Sequence, residues 1–200
     1  MSTNVGAVIL AAGSSSRMGQ PKQALKVGDT SLLRRAVTAA SGAGCSPLIV
    51  ITGANAEASR SELAGLDVHE AWNSKWESGM GSSISAGINA LLEADPQVAA
   101  VMIMLCDQPY VTDEVIYRLI SEHQSTGKPV VASEYGGGFG VPALFHSSLF
   151  NELAGLDGAS GAKPVIARHL SETHLVPFPG GEIDIDTPED YQRLVNTIVG

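Results

Sequence analysis

Val5-Gly-Ala-Val-Ile-Leu-Ala-Ala-Gly-Ser-Ser-Ser-Arg-Met-Gly-Gln-Pro-Lys22 opens on an unbroken apolar run and closes on a Gly/Ser loop that carries two cations. The run Val5–Ala11 lacks the period-two alternation of a half-exposed strand. It reads as a buried strand covered on both faces, as in a parallel sheet. The loop leaves that strand at its carboxyl end, where open α/β sheets place ligands. Ala11, Ala12 and Gly13 are small enough for main-chain amides to approach a bound group. Ser14, Ser15 and Ser16 add hydroxyls, while Arg17 and Lys22 add charges suited to a polyphosphate. This is not a Walker A loop, because five residues separate Gly13 from Gly19 and Lys22 lies three beyond Gly19. It also lacks the G-x-G-x-x-G fingerprint. On generic chemistry the segment fits a phosphate-binding loop or a plain solvated loop.

Outward from this segment, apolar runs alternate with helical patterns. Pro47–Thr52 and Val98–Leu105 are further buried strands, and Lys128–Ser133 and Pro142–Phe145 are shorter ones. Ser31–Ala43 and Ser83–Ala94 carry apolar residues close to a 3.6-residue period. Thr112 is a good N-cap for a helix with two acids in its first turn. Thr187-Pro-Glu-Asp190 opens a last helix running to about Val199. Tyr135–Gly140 is glycine-rich and reads as one loop. The alternation predicts an α/β fold with a largely parallel sheet. No linker, repeat or low-complexity stretch divides the chain, so the expectation is one domain over residues 1–200.

Hydrophobic residues make up 44% and charged residues 16%, which excludes a disordered chain. The formal net charge of −9, from 12 Lys+Arg against 21 Asp+Glu, makes nonspecific nucleic-acid binding a poor fit. Met1–Asn4 is a short polar leader, and the run Val5–Ala12 is too short to span a membrane. Cys45 and Cys106 lie beside apolar runs without metal-ligand spacing, as buried thiols in a reducing compartment would. The five histidines form no zinc pattern. These features predict a soluble cytoplasmic protein.

Leu10-Ala-Ala-Gly-x-Ser-x-Arg-Met-Gly-x-Pro-Lys22 resembles the signature of the molybdenum cofactor nucleotidyltransferases, members of a superfamily with a Rossmann-like core. Asn73-Ser-Lys-Trp-Glu-Ser-Gly-Met-Gly-Ser-Ser83, Asp107-Gln-Pro109 and Asp184-Ile-Asp-Thr-Pro-Glu-Asp190 are similar to the later motifs, so the resemblance spans nearly the whole chain. It implies a Rossmann-like three-layer sandwich. Ala12 in L-A-A-G, together with G-M-x-x-S, resembles the cytidylyl branch. The chain departs from the family pattern at Leu156–Lys163, where Asp-Gly replaces Gly-Asp and Lys163 stands where arginine is common, and at Val141 before Pro142.

Asp107 follows the most apolar strand and should emerge on the same rim as the loop. There it could hold magnesium, which takes one or two carboxylates plus phosphate oxygens, or simply cap a turn before Pro109. Asp184 and Asp186 alternate with Ile183 and Ile185 and face one side of an extended segment. The resemblance implies a magnesium site of Asp107 with Asp186, or with Asp184. It implies a nucleotide site of Leu10, Ala11, Ala12, Gly13, Ser14, Arg17, Lys22, Gly79, Ser82, Ser83 and Asp107, in which Arg17, Lys22 and Asp107 carry the catalysis. Acceptor contacts would come from Asn73, Trp76, Gly140, Pro142 and Lys163. The implied reaction joins CMP from CTP to the phosphate of molybdenum-molybdopterin and releases pyrophosphate, with a molybdenum dehydrogenase as the cofactor's recipient. Two alternatives stand beside it: a guanylyl or sugar-phosphate transferase of the same fold, and a non-catalytic chaperone that delivers the cofactor.

Overall fold

The computed structural model describes residues 4–199, so the leader residues 1–3 lie outside it. Strand β1 (Val5–Ala11) is buried along its whole length. Its side chains alternate between two cores: Ala7, Ile9 and Ala11 face one, Val8 and Leu10 the other. A central strand is apolar throughout because both its faces need cover, which is why the period-two signal is missing.

Two short strands, β2 (Lys26–Val27) and β3 (Thr30–Ser31), form a separate antiparallel pair and lead into α1 (Leu32–Gly42). Ser31 caps α1, its hydroxyl accepting from the Arg34 amide at 3.2 Å. Then follow β4 (Leu48–Thr52), α2 (Ala56–Leu63), β5 (His69–Trp72), α3 (Met80–Ala94), β6 (Ala100–Leu105) and α4 (Asp113–Thr126). The chain continues through β7 (Val130–Tyr135), β8 (Gly138–His146), α5 (Phe150–Ala154), α6 (Lys163–Arg168), β9 (Thr173–Pro177) and α7 (Pro188–Val199). Seven strands form one sheet in the order β5-β4-β1-β6-β8-β7-β9. Only β8 runs against its neighbours, so the sheet is mostly parallel, as expected.

Helices cover both faces in a Rossmann-like, three-layer arrangement. Leu33, Ala36 and Val37 of α1 pack on one face with Ile116, Leu119 and Ile120 of α4. Ile84, Ile88 and Leu91 of α3 pack on the other with Phe150, Leu153, Val165 and Ile166 of α5 and α6. A third, small core joins Met18, Leu25, Val27 and Leu32 to Ile185 and Leu194, tying the segment before α7 to the loop after β1.

Three sequence expectations change. Tyr135–Gly140 is not one loop but the end of β7, a Gly136-Gly137 turn and the start of β8. Both glycines have positive φ (57° and 72°), the conformation that tight two-residue hairpins demand. Helix α3 begins at Met80, three residues before its expected start, so its N-terminus moves next to Gly79. Strands β5 and β9 were not anticipated: β5 is a largely exposed edge strand and β9 is half-buried, so neither carries the dense apolar run of a central strand. The parallel strands β5, β4, β1, β6 and β7 all end on one rim of the sheet, which therefore collects the loops after Ala11, Thr52, Trp72 and Leu105 and the β7–β8 turn.

Candidate functional site

On that rim lies a cavity of about 340 Å³, the size of a small-ligand site. The end of β1 and the loop after it form its floor through Leu10, Ala11, Ala12, Gly13 and Ser14. The carbonyl of Ala11 accepts from the Gln23 side-chain amide at 2.7 Å, and that of Ala12 from the Ala54 N–H at 3.2 Å. The Gly13 carbonyl takes Gln23 Nε2 and Asn55 Nδ2, each at 3.1 Å. A trans peptide is planar with its C=O and N–H opposed. Three carbonyls drawn into the protein thus aim the N–H groups of Ala12, Gly13 and Ser14 the other way, as in anion-binding main-chain nests.

The opposite wall comes from Trp76, Gly79, Met80 and Ser83. Met80 begins α3, so the positive end of a 15-residue helix dipole borders the cavity. Gly53 allows Trp76 to close on Ala12: a Cβ there would lie 2.9 Å from Ala12 Cβ and 2.8 Å from Trp76 Cβ. The Asn73 amide is buried and donates to Ser82 Oγ at 2.8 Å and Ser83 Oγ at 3.0 Å, while its Oδ1 accepts from the Lys75 N–H at 2.9 Å. Asn73 and Ser82 hold this segment in shape and do not line the cavity.

Lys22 and Asp107 meet at the cavity's edge. The Lys22 ammonium bonds Asp107 Oδ2 at 3.0 Å and also pairs with Asp186. Arg17, largely exposed, reaches the other oxygen of Asp186 at 2.7 Å. Burial would lower the Lys22 pKa, but Asp107 and Asp186 outweigh it and hold the ammonium above its ordinary value. Burial works against the Asp186 carboxylate, yet Lys22 and Arg17 hold it below the usual range.

The Asp186 segment is fixed at three points. Ile185, fully buried in the third core, points away from the acids that flank it. Its N–H donates to the Asp107 carbonyl at 3.0 Å. Thr187 and Asp190 then close a capping box on α7: Asp190 Oδ2 accepts from the N–H of Thr187 at 2.9 Å, and Thr187 Oγ1 accepts from that of Asp190 at 3.2 Å. Burial first, and then the charges of Asp107 and Asp186, push the Asp184 carboxyl up to about 7. Its side chain is open to solvent, so the like charges are the part of that shift its position explains.

Among the described residues, no three His, Cys, Asp or Glu side chains converge as a metal cage. Of the two expected pairings, Asp107 and Asp186 share the Lys22 ammonium, and Asp184 lies two residues from Asp186. Asp107 Oδ1 is buried without a partner, as an oxygen awaiting a hard cation would be. Two carboxylates suit magnesium, which draws its other ligands from water and phosphate.

The remaining expected residues stand apart from the cavity. Gly140 and Pro142 lie on β8, and the Pro142 carbonyl accepts from Ser133 Oγ at 2.7 Å. Lys163 begins α6 and sits 5.7 Å from the Phe139 ring centroid, a cation–π contact near the β7–β8 turn. Cys106 is buried in the cavity wall with its thiol pKa raised by burial and by Asp107, which excludes a resting thiolate. The sequence reading missed Gln23. A glutamine beside Lys22 carries no motif signal of its own, and only the fold brings it under the loop.

A model of the MobA-like NTP transferase domain matches residues 7–173. The chain is 32% identical over 208 residues to nicotine blue oxidoreductase of Paenarthrobacter nicotinovorans, covering 96% of each protein. It is 28% identical over 199 residues to the molybdenum cofactor guanylyltransferase of Rhizobium meliloti (strain 1021), covering 94% of this chain and 88% of that one. The structure of Rv0371c from Mycobacterium tuberculosis H37Rv in complex with manganese matches with a TM-score of 0.77 at 30% identity, over 98% of this chain and 100% of that one. Among the described residues, no helix is long and apolar enough to cross a membrane.

Proposed function

The chain belongs to the MobA-like NTP transferase family, and from that premise we propose that it transfers CMP from CTP to the phosphate of molybdenum-molybdopterin, forming the cytosine dinucleotide cofactor. The observation that carries the nucleotide half is the cavity itself. The loop that carries the Ala12, Gly13 and Ser14 N–H groups, a helix N-terminus and Lys22 border one cavity where a triphosphate would lie, and beside the Lys22 ammonium Asp107 keeps a carboxylate oxygen without a partner. The acceptor half is supported by the relative named as a molybdenum cofactor guanylyltransferase and by the resemblance of the Asn73–Ser83 segment.

In the reaction, an oxygen of the acceptor phosphate forms a bond to the α-phosphorus of CTP. The bond from that phosphorus to the bridging oxygen breaks, and pyrophosphate leaves with the electron pair. A phosphate monoester is already ionised at neutral pH, so no general base is required. Catalysis is positioning and charge stabilisation. The N–H groups of Ala12, Gly13 and Ser14 cradle the triphosphate. Lys22 neutralises charge growing on the α-phosphate, and Arg17 turns from Asp186 to the β and γ phosphates. Magnesium held by Asp107 and Asp186, when bound, supplies further neutralisation of phosphate oxygens. Trp76 stands as a wall on the acceptor side. Lys163, beside Phe139 near the β7–β8 turn, supplies a cation for the acceptor, and Gly140 and Pro142 shape that strand.

The cytosine preference rests on Ala12. Ala12 lines the cavity, and its methyl group lies close to Trp76 beside Gly53. The added carbon crowds a purine more than a pyrimidine. The test is pyrophosphate release from each of the four nucleoside triphosphates with molybdenum-molybdopterin present and absent. Acceptor-dependent release fastest with CTP is the expected result. Preference for GTP would overturn the cytidylyl assignment, and no release with any pair would overturn the transferase reading.

A further inference from the structure

We propose that Gln23 is a positioning residue that holds the loop after β1 in its phosphate-receiving form, its side-chain amide fixing the Ala11 and Gly13 carbonyls so that the following N–H groups face the cavity. The inference rests on the nucleotide reading above. Gln23 is 2% exposed, yet it lines the cavity. Its Nε2 lies 2.7 Å from the Ala11 carbonyl oxygen and 3.1 Å from that of Gly13. Two carbonyl acceptors on one side require the amide nitrogen, not the oxygen, to face them. Because each peptide is planar, those two bonds set the directions of the Ala12 and Ser14 N–H groups. The Ala54 N–H on the Ala12 carbonyl sets that of Gly13, and Asn55 adds an outer tie to the Gly13 carbonyl.

Packing does not account for a glutamine here. Its Oε1 is buried with no partner, a cost an apolar residue of the same size would avoid. The residue is also coupled to the cation next to it. Gln23 and Lys22 share one short helical turn, Lys22–Ala24, and the Lys22 N–H donates to Ser15 Oγ at 3.0 Å. The same turn that carries the ammonium to Asp107 therefore also sets the donors of the loop, so amides and cation come to the triphosphate in fixed relation.

The test compares wild type with Gln23→Met, nearly isosteric and without polar atoms, by equilibrium titration with CTP and with inorganic tripolyphosphate in the presence of magnesium. Tripolyphosphate has no base, so it reads the phosphate loop alone. Both dissociation constants are expected to rise by a similar factor, about tenfold or more, from the loss of two hydrogen bonds. The KM for CTP should rise in parallel, while kcat at saturation changes by no more than a few-fold. A rise for CTP with tripolyphosphate unchanged would mean that Gln23 contacts the base, and would overturn the proposal, as would unchanged binding of both. Should Gln23→Met fail to fold, Gln23→Leu removes the same two hydrogen bonds with a smaller side chain. It should raise both constants together by a similar factor, and unchanged constants would overturn the proposal. Wild type that binds neither ligand would instead sink the nucleotide reading itself.

Discussion

Replacing Lys22 by methionine removes the one ammonium shared by Asp107 and Asp186 and keeps most of the side chain's bulk. The pair is neither buried nor free: the three side chains are 15%, 20% and 31% exposed. An exposed pair is worth under about 1 kcal/mol, and breaking a fully buried one costs about 3–5 kcal/mol. Discounted for this exposure, the variant should lose about 1–3 kcal/mol. For a chain of this length that lowers Tm by roughly 2–4 °C per kcal/mol. Even from a modest starting stability of about 5 kcal/mol, a loss of about 2 kcal/mol leaves about 99% of the molecules folded. Unfolding therefore explains almost none of any activity change. Turnover, by contrast, should fall by about 100-fold or more, as when a preorganised charge stabiliser is removed. The assay is pyrophosphate release at saturating CTP, with thermal melts on the same samples. A folded variant that turns over near the wild-type rate would refute the role of Lys22 at the α-phosphate, and an unchanged Tm would refute the shared ion pair.

Excess EDTA and Asp107→Asn should each abolish metal-dependent turnover while the melt stays cooperative; full activity under either condition rules out the carboxylate-held cation. Ala12→Gly should narrow the CTP over GTP preference in kcat/KM by about 10- to 200-fold, the worth of a methyl-sized contact, without inverting it. A ratio that does not move takes Ala12 out of the base pocket. Ile185→Ala should cost about 2–5 kcal/mol in urea unfolding, as for a buried aliphatic residue, and should also raise the KM for CTP because Asp186 loses its anchor. Lost stability with an unaltered KM in the folded enzyme would show that Ile185 packs without positioning.

Much of this was legible in the chain before it folded. The central strands β1, β4 and β6 announce themselves because burial on both faces forces an unbroken apolar run, and the caps at Thr112 and Thr187 because unsatisfied N–H groups need an oxygen at a fixed offset. The loop after β1 and Asp107 could be placed on one rim from strand direction alone. What could not be read was side-chain traffic across long separations. Nothing in the sequence says that Asn73 is spent on Ser82 and Ser83, that Gln23 lies under the loop, or that Lys22 bridges two acids 85 and 164 residues away. Strand β5 and the Gly136-Gly137 hairpin were hidden for the opposite reason. Neither needs a dense apolar run, one being an exposed edge and the other a turn set by main-chain conformation.

The small core around Ile185 also dictates an order of assembly. Arg17 and Asp186 are 169 residues apart, and every other strand of the main sheet lies between the loop after β1 and the segment that docks back on it. On a ribosome, β1 through β9 and the helices of both faces emerge before Ile185 does, so the sheet can begin to close while Asp186, the second acid that pairs with Lys22, has yet to emerge. A nascent chain stopped at residue 182 would carry the loop, Lys22 and Asp107, but would lack Asp186 and the buried side chain that holds it in place. The last acid of the site thus arrives only after the scaffold has formed, which couples readiness for nucleotide to completion of the fold that must hold it.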